Sequence, residues 1–305
     1  MAKVAIVYPL SLEPTGIVGN NPTGRLETYH QVETAFTTCA PLIKQNLLEK
    51  FQGHEVDIYV FANYENLDQA RLFEKQLMNL YPIKVLQLQP WDDIKNKILD
   101  KKKLIPRQHI ATKILLHNQW CNHIRQPWNL IHALKYIHSH YGEYDYYIKS
   151  RLDIFPSPNF HPHLLFAKGT DVTDKVYADR RYGYSSSSRF VVTQFSSITG
   201  SHITPIHIND IQLFFDRECA RSIIKQFNKW IDFTADYFSR FDWDTYRSIN
   251  SCLMHRTLQG EECYILPESA WANLFFLSKV KIRTDDTGLV YKLYRKNIYE
   301  EMRKL

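Results

Sequence analysis

From residue 144 to residue 156 the chain reads Tyr-Asp-Tyr-Tyr-Ile-Lys-Ser-Arg-Leu-Asp-Ile-Phe-Pro. Lys149, Arg151 and Asp153 fall on alternate positions, so an extended backbone would send all three side chains to one face. Two cations and a carboxylate gathered there would suit a phosphorylated substrate. The cations neutralise phosphate, and the carboxylate holds a hydroxyl or a proton. Tyr146, Tyr147, Ile148, Leu152, Ile154 and Phe155 have the aromatic and β-branched character of a buried strand, and Pro156 with Pro158 ends its ladder. Ligands of open α/β sheets sit at the carboxyl ends of such strands.

A further cation stands in Gly19-Asn-Asn-Pro-Thr-Gly24-Arg25-Leu26. A phosphate-binding P-loop needs Lys and then Ser or Thr after its last glycine, and here Arg25 and Leu26 occupy those places. A kinase or NTPase is therefore not expected. What remains is a glycine-flexed loop entering a helix, where Arg25 and backbone donors could hold a diphosphate, or an ordinary surface loop with a solvated arginine. Downstream, Asn209 and Asp210 interrupt the apolar run His207-Ile208-Asn209-Asp210-Ile211-Gln212-Leu213-Phe214-Phe215. Asp210 reads equally as a helix cap and as a general base facing the same cleft as Asp153.

Thirteen histidines raise the question of a metal, but none has H-x-x-x-H spacing with an intervening glutamate on a helix, and no C-x-x-C pair occurs. They read as structural or exposed, although His161 and His163 follow the 144–156 segment closely enough to approach it. The sequence has no G-x-S-x-G elbow, which argues against a serine hydrolase.

The elements that must position these residues alternate along the chain. Lys3 to Tyr8, closed by Pro9, and Glu55 to Phe61 read as buried parallel strands, with a helix from about Glu27 to Phe51 between them, interrupted near Pro41 and stopped by Gly53. Asn66 to Leu80 reads as a second helix and Ile83 to Leu88 as a third strand. A long helical stretch from Gln108 to His140, kinked at Pro127, leads into the 144–156 strand. Gly169 to Ser188 reads as a polar loop, a candidate lid. Then come a strand at Phe190 to Gln194, a strand or strand-to-helix passage at Ile206 to Phe215, and helices at Arg217 to Phe238 and Tyr246 to Leu258. The alternation predicts an α/β fold: a mostly parallel, Rossmann-like sheet flanked by helices in one large domain. The chain divides into residues 1–155, residues 156–277 and a basic tail, 278–305, packing on the body.

Composition sets the outer limits. With 305 residues, 44% hydrophobic, 23% charged and 14% aromatic, the chain can bury a sizeable core and is not a disordered protein. Its net charge of +6 is mild, and Lys101-Lys102-Lys103 is its tight basic run, so a nucleic-acid partner is not expected. Five scattered cysteines read as reduced, packed thiols. No stretch is apolar enough for a membrane span or a signal segment, which makes the cytoplasm the expected location, the host cytoplasm if the source is viral.

Four pieces in order carry a resemblance to the GT-A-type glycosyltransferases of surface-polysaccharide and viral glycan synthesis. They are the first strand with its loop ending in Gly24-Arg25, the strand Val56-Asp57-Ile58-Tyr59-Val60-Phe61, the long helix feeding Tyr144 to Asp153, and Asn209-Asp210 ahead of aromatics. The resemblance implies a GT-A-like fold and transfer of a sugar from a nucleotide sugar, most readily a UDP-sugar, to a hydroxyl of an oligosaccharide or glycan acceptor. It implies that residues 1–155 are the donor-binding half and 156–277 the acceptor and catalytic half, with donor contacts at Tyr8, Arg25, Lys149, Arg151 and Asp153, and, by similarity to inverting members, a base at Asp210. The family holds Mn²⁺ or Mg²⁺ on an Asp-x-Asp signature. Here Arg151 takes the first acidic position and only Asp153 remains, so either Asp153 holds the metal or the Arg151 guanidinium replaces it. Two alternatives stay open. One is a non-catalytic nucleotide- or carbohydrate-binding protein of the same fold. The other is a sulfotransferase-like enzyme using the Gly19 to Arg25 loop.

Overall fold

The computed structural model describes residues 1–12, 28–94, 115–156, 211–239 and 274–284, residues 96, 158 and 271, and the short strands 170–171, 190–193, 199–201, 204–207 and 291–293. Strand β1 (Lys3–Ser11) is flanked by parallel neighbours: β2 (Glu55–Tyr64) on one side, with β3 (Ile83–Pro90) beyond it, and β4 (Tyr146–Lys149) on the other. An antiparallel strand, β10 (Leu213–Asp216), follows β4. These five strands form a mixed, mostly parallel sheet, an α/β arrangement. It continues through β7 (Phe190–Thr193) and β11 (Lys281–Thr284) to β6 (Thr170–Asp171). β5 (Ile154–Pro156) pairs with β12 (Tyr291–Leu293), and β8 (Thr199–Ser201) with β9 (Thr204–His207).

The helices cover both faces. Even-numbered residues of β1 (Val4, Ile6, Tyr8, Leu10) bury against α1 (Tyr29–Ile43) and α2 (Leu67–Leu80). Ala5 and Val7 face α3 (Leu115–Tyr141) and α4 (Arg217–Ser239). Helix α1 opens on a capping box: Thr28 Oγ1 accepts from the Gln31 amide and Gln31 Oε1 from the Thr28 amide, each at 3.2 Å. Pro41 stands in its last turns, and the helix passes into a π turn at Lys44–Leu48 and a 3₁₀ turn at Glu49–Phe51. Gly53, at φ +87°, then reverses the chain into β2.

Pro9 does not close β1, contrary to the sequence expectation. Odd residues of β1 turn their peptide groups toward β4, as shown by Ser150 N donating to Val7 O at 3.1 Å. β4 pairing ends at Val7–Lys149. Pro9 therefore lacks its N–H on a side where no strand remains to accept one, and the strand runs on to Ser11 against β2. Residues 281–284, assigned to the tail by sequence, form β11 inside the sheet, with Val280 and Ile282 buried.

At the amino ends of the strands a charged and phenolic network closes the sheet. Asp57 accepts from Lys84 Nζ at 2.6 Å and from the Tyr144 hydroxyl, which also meets the Tyr59 hydroxyl at 2.6 Å. The Tyr147 hydroxyl lies 2.8 Å from His138 Nε2 and accepts from the Tyr144 amide at 3.1 Å. His138 Nδ1 is 3.7 Å from Glu143, which takes both Nε and Nη2 of Arg221 at 2.6 and 2.5 Å, and Arg217 grips Asp145 at 2.6 Å. Among the described residues no helix is long and apolar enough to cross a membrane.

Candidate functional site

The chain order reverses beside β1. β2 and β3 are laid down on one side of it, and β4 then returns on the other. In open α/β sheets a crevice forms outside the carboxyl ends of the strands at such a point. Ser11, Tyr64, Pro90 and Lys149 are the last residues of the four parallel strands, and antiparallel β10 starts at the same edge because Leu213 pairs with Lys149.

Lys149, Arg151 and Asp153 do not share one face, because β4 stops at Lys149 before period two can carry through. Two apolar anchors redirect the chain. Leu152 and Ile154, 1% and 0% exposed, bury in the core on the α1 face, and β5 is tied there by Asn46 Nδ2 donating to Pro156 O at 2.8 Å. Arg151 and Asp153 alternate with these anchors and meet each other. Arg151 Nε donates to Asp153 Oδ1 at 2.7 Å and Nη2 to Oδ2 at 2.6 Å, a bidentate clasp with side chains 25% and 15% exposed. Burial first, and then the Asp153 carboxylate, push the Cys39 thiol upward, which places the clasp near α1.

Lys149 points the other way. It is fully buried on the α3 side, its Nζ donating to Gln126 Oε1 at 3.1 Å and lying 5.2 Å from the centre of the Trp271 ring. Ser150 is also fully buried and accepts from Gln212 Nε2 at 3.1 Å. Tyr8, expected to touch the donor, is enclosed between the sheet and α1, its ring 6.3 Å from that of Tyr81. Burial raises its pKa. Arg25 and Asp210 lie outside the described residues, as do His161, His163 and the 246–258 helix. Cys39 and Cys219 are buried thiols.

Sequence reading missed much of what gathers at this edge. Asn63, Arg125, Asn129, Lys149, Ser150 and Gln212 make up six of the ten buried polar side chains described, so buried polarity concentrates at the carboxyl ends. Arg125 Nε donates to Asn63 Oδ1 at 3.3 Å and its guanidinium lies 4.4 Å from the centre of the Trp91 ring, while Asn129 Nδ2 donates to Leu10 O at 3.1 Å. One signal was available: Asn63 ends the apolar run Ile58 to Ala62, as Asn209-Asp210 interrupts a later one. Asn63 Nδ2, Gln212 Oε1 and Trp271 Nε1 are buried with no hydrogen-bond partner.

With the clasp closed both Asp153 carboxylate oxygens accept from Arg151, so a divalent cation at Asp153 would have to displace the guanidinium. Among the described residues no three His, Cys, Asp or Glu side chains converge as a metal site would need. Among the described residues the edge offers cationic and amide donors with one clasped carboxylate. No family model matches the sequence, and the search of curated proteins found no match.

Proposed function

We propose that the chain is a nucleotide-sugar-dependent glycosyltransferase of GT-A-like architecture, transferring a sugar, most readily from a UDP-sugar, to a hydroxyl of a glycan acceptor. The observation that carries this reading is the Arg151–Asp153 clasp, set just past the end of β4 at the reversal of strand order beside β1. That is where the resemblance puts an Asp-x-Asp signature. The four parallel-side strands in the order β3-β2-β1-β4, followed by an antiparallel strand, support the architecture.

In the proposed reaction the acceptor oxygen attacks the anomeric carbon as the bond from that carbon to the diphosphate oxygen breaks, its electron pair leaving with the diphosphate. Arg151, turning from Asp153 to the diphosphate, meets the charge that develops there. Lys149 adds positive potential from the α3 side of β4. Asp153, released from the guanidinium, accepts from a hydroxyl of the ribose or the sugar. Asp210, three residues before the Leu213–Lys149 pair, takes the acceptor's proton. No step runs through a metal ion.

Bidentate closure of Asp153 favours a second reading, a nucleotide- or carbohydrate-binding protein without transfer. Thermal-shift measurements against UDP- and GDP-sugars and a nucleotide-activated sulfate, each with and without Mn²⁺, followed by donor turnover with glycan acceptors, separate the readings. Stabilisation by a nucleotide sugar with turnover supports the transferase, and stabilisation without turnover the binding protein. Stabilisation by the sulfate donor alone points to sulfotransfer. Full transfer by both Asp153→Asn and Asp210→Asn would sink the mechanism.

A further inference from the structure

The sheet ends on β3, which pairs with β2 alone among the described residues. The ladder identifies the groups on its outer side. Asn63 gives its carbonyl to the Leu12 amide, so odd residues of β2 turn their peptide groups toward β1 and even ones toward β3. Val60 stands opposite Leu86 and Ala62 opposite Leu88, which bonds Val85, Gln87 and Gln89 to β2 and points the N–H and C=O of Leu86 and Leu88 outward. An open edge is ordinarily guarded by charge, proline or a bulge. β3 has these only at its ends, where the register shifts beside Lys84 and where Pro90 closes the strand. Val85-Leu86-Gln87-Leu88-Gln89 between them carries no charge, no proline and no glycine.

The helix beside this edge is apolar on the same side. Gln76 of α2 donates to Glu33 O and Thr37 Oγ1, and Phe73 meets Phe36, so these residues mark the side that faces α1. Leu67 and Met78 lie roughly half a turn round the helix from Gln76, on the flank toward the free edge, and are 42% and 51% exposed. Arg71 and Glu74, one charge of each sign, share that flank. We propose that this edge is the interface of a two-fold dimer in which β3 pairs antiparallel with β3 of a second copy, centred on Gln87. That register sets Leu86 opposite Leu88 of the second copy and the reverse, and each such pair exchanges two hydrogen bonds between outward peptide groups. A centre at Leu88 would put Pro90, which has no N–H, in the place of a leucine, and a centre at Leu86 would bring in Lys84 at the bulge. The side chains agree. Leu86 and Leu88 pack on the α1 and α2 face and meet across the dyad as apolar pairs. A helix over the β2–β3 pair stands about one strand spacing from the dyad, so the two α2 helices run antiparallel roughly 10 Å apart, an ordinary packing distance. Leu67 and Met78 line that seam, and Arg71 faces Glu74 of the second copy. Complementary charges beside a neutral strand let a chain of net charge +6 meet itself. The surface stands whether or not the chain transfers a sugar.

Sedimentation equilibrium of the full chain, with molar mass checked by light scattering, tests this. The wild type is expected to form a dimer that dissociates on dilution. Gln87→Lys sets two like charges face to face on the dyad and is expected to raise the dissociation constant at least tenfold while leaving the melting temperature of the monomer unchanged. Arg71→Glu is expected to weaken the dimer in the same direction, and Arg71→Glu combined with Glu74→Arg to restore it, which a change in helix stability alone would not do. A monomer at every concentration, a larger open assembly, or a dimer that neither Gln87→Lys nor Arg71→Glu weakens overturns the proposal. Should Gln87→Lys not fold, the Arg71 and Glu74 variants decide alone.

Discussion

At the amino ends of the strands Asp57 binds Lys84 and Tyr144, Tyr144 binds Tyr59, Tyr147 binds His138, and Glu143 and Asp145 hold Arg221 and Arg217. None of these side chains has a buried polar atom without a partner. At the carboxyl ends of the same strands Asn63, Gln212 and Trp271 each bury one. Both ends are polar, so polarity alone does not mark a site. A network that satisfies itself holds a structure, whereas donors and acceptors held in place without partners cost stability until a water or a ligand completes them.

The largest expected consequence lies at the carboxyl end. Arg151→Lys keeps a positive charge but cannot make the two-pronged contact with Asp153 or with a diphosphate. Under the proposed function, transfer should fall by about 10²-fold, on the order of 3 kcal/mol of transition-state stabilisation. The melting temperature should barely move, because the pair is partly exposed. Steady-state turnover measured beside thermal unfolding checks both halves. A variant that transfers normally but melts early would move the clasp into the structural class with the amino-end network.

At the other end the pattern should invert. Asp57→Ala removes the acceptor shared by Lys84 and Tyr144 and strands a chain of buried phenols. Burial, foremost, already pushes Tyr59 up to about 12, so its hydroxyl stays protonated and cannot replace the lost charge. Stability should drop by about 2–3 kcal/mol, since bonds to a charged acceptor are lost and their donors remain. Affinity for any ligand at the carboxyl ends should be unchanged. Denaturant unfolding together with ligand titration would show whether the two ends are independent, and a matching loss of binding would break the contrast.

How far the sequence could reveal these two ends depended on the range of the interactions. The apolar runs of β1, β2 and β3 and the stripes of α1 and α2 were legible because their periodicity is local. Lys149, Arg151 and Asp153 were legible as a cluster but not in direction. Alternation assumes an unbroken strand, and burial of Leu152 and Ile154 on the α1 face overrode it, leaving Arg151 and Asp153 on the alternate positions, where they meet each other, while Lys149 stayed on the α3 side. Arg125 was not legible, since an arginine inside an amphipathic helix reads as solvated, and the residue that accepts from it, Asn63, lies 62 positions away. The amino-end network was hidden for the same reason: Asp57 and Tyr144 are 87 positions apart.

The smallest effect, and the one that tests whether the amino-end network is fully satisfied, comes from His138. Tyr147 accepts the Tyr144 amide and keeps its own proton to donate, and a hydroxyl that gives it to His138 Nε2 leaves the proton of the neutral ring on Nδ1, toward Glu143. Burial lowers the pKa of His138 in the folded protein, with Glu143 opposing. A depressed histidine binds its proton more readily when unfolded, so its contribution to stability is intact above the unfolded value near 6.5 and is lost as pH falls through the lower folded value. Glu143 is also depressed, chiefly by the hydrogen bond from Arg221, so its contribution is lost only further down, below the ordinary glutamate range. The melting temperature should therefore decline in two stages on acidification. His138→Gln, which can still accept from Tyr147, should flatten the upper stage and leave the lower one in place. If the upper stage persists in the variant, another group carries that proton, and the amino end is not the satisfied network that the contrast requires.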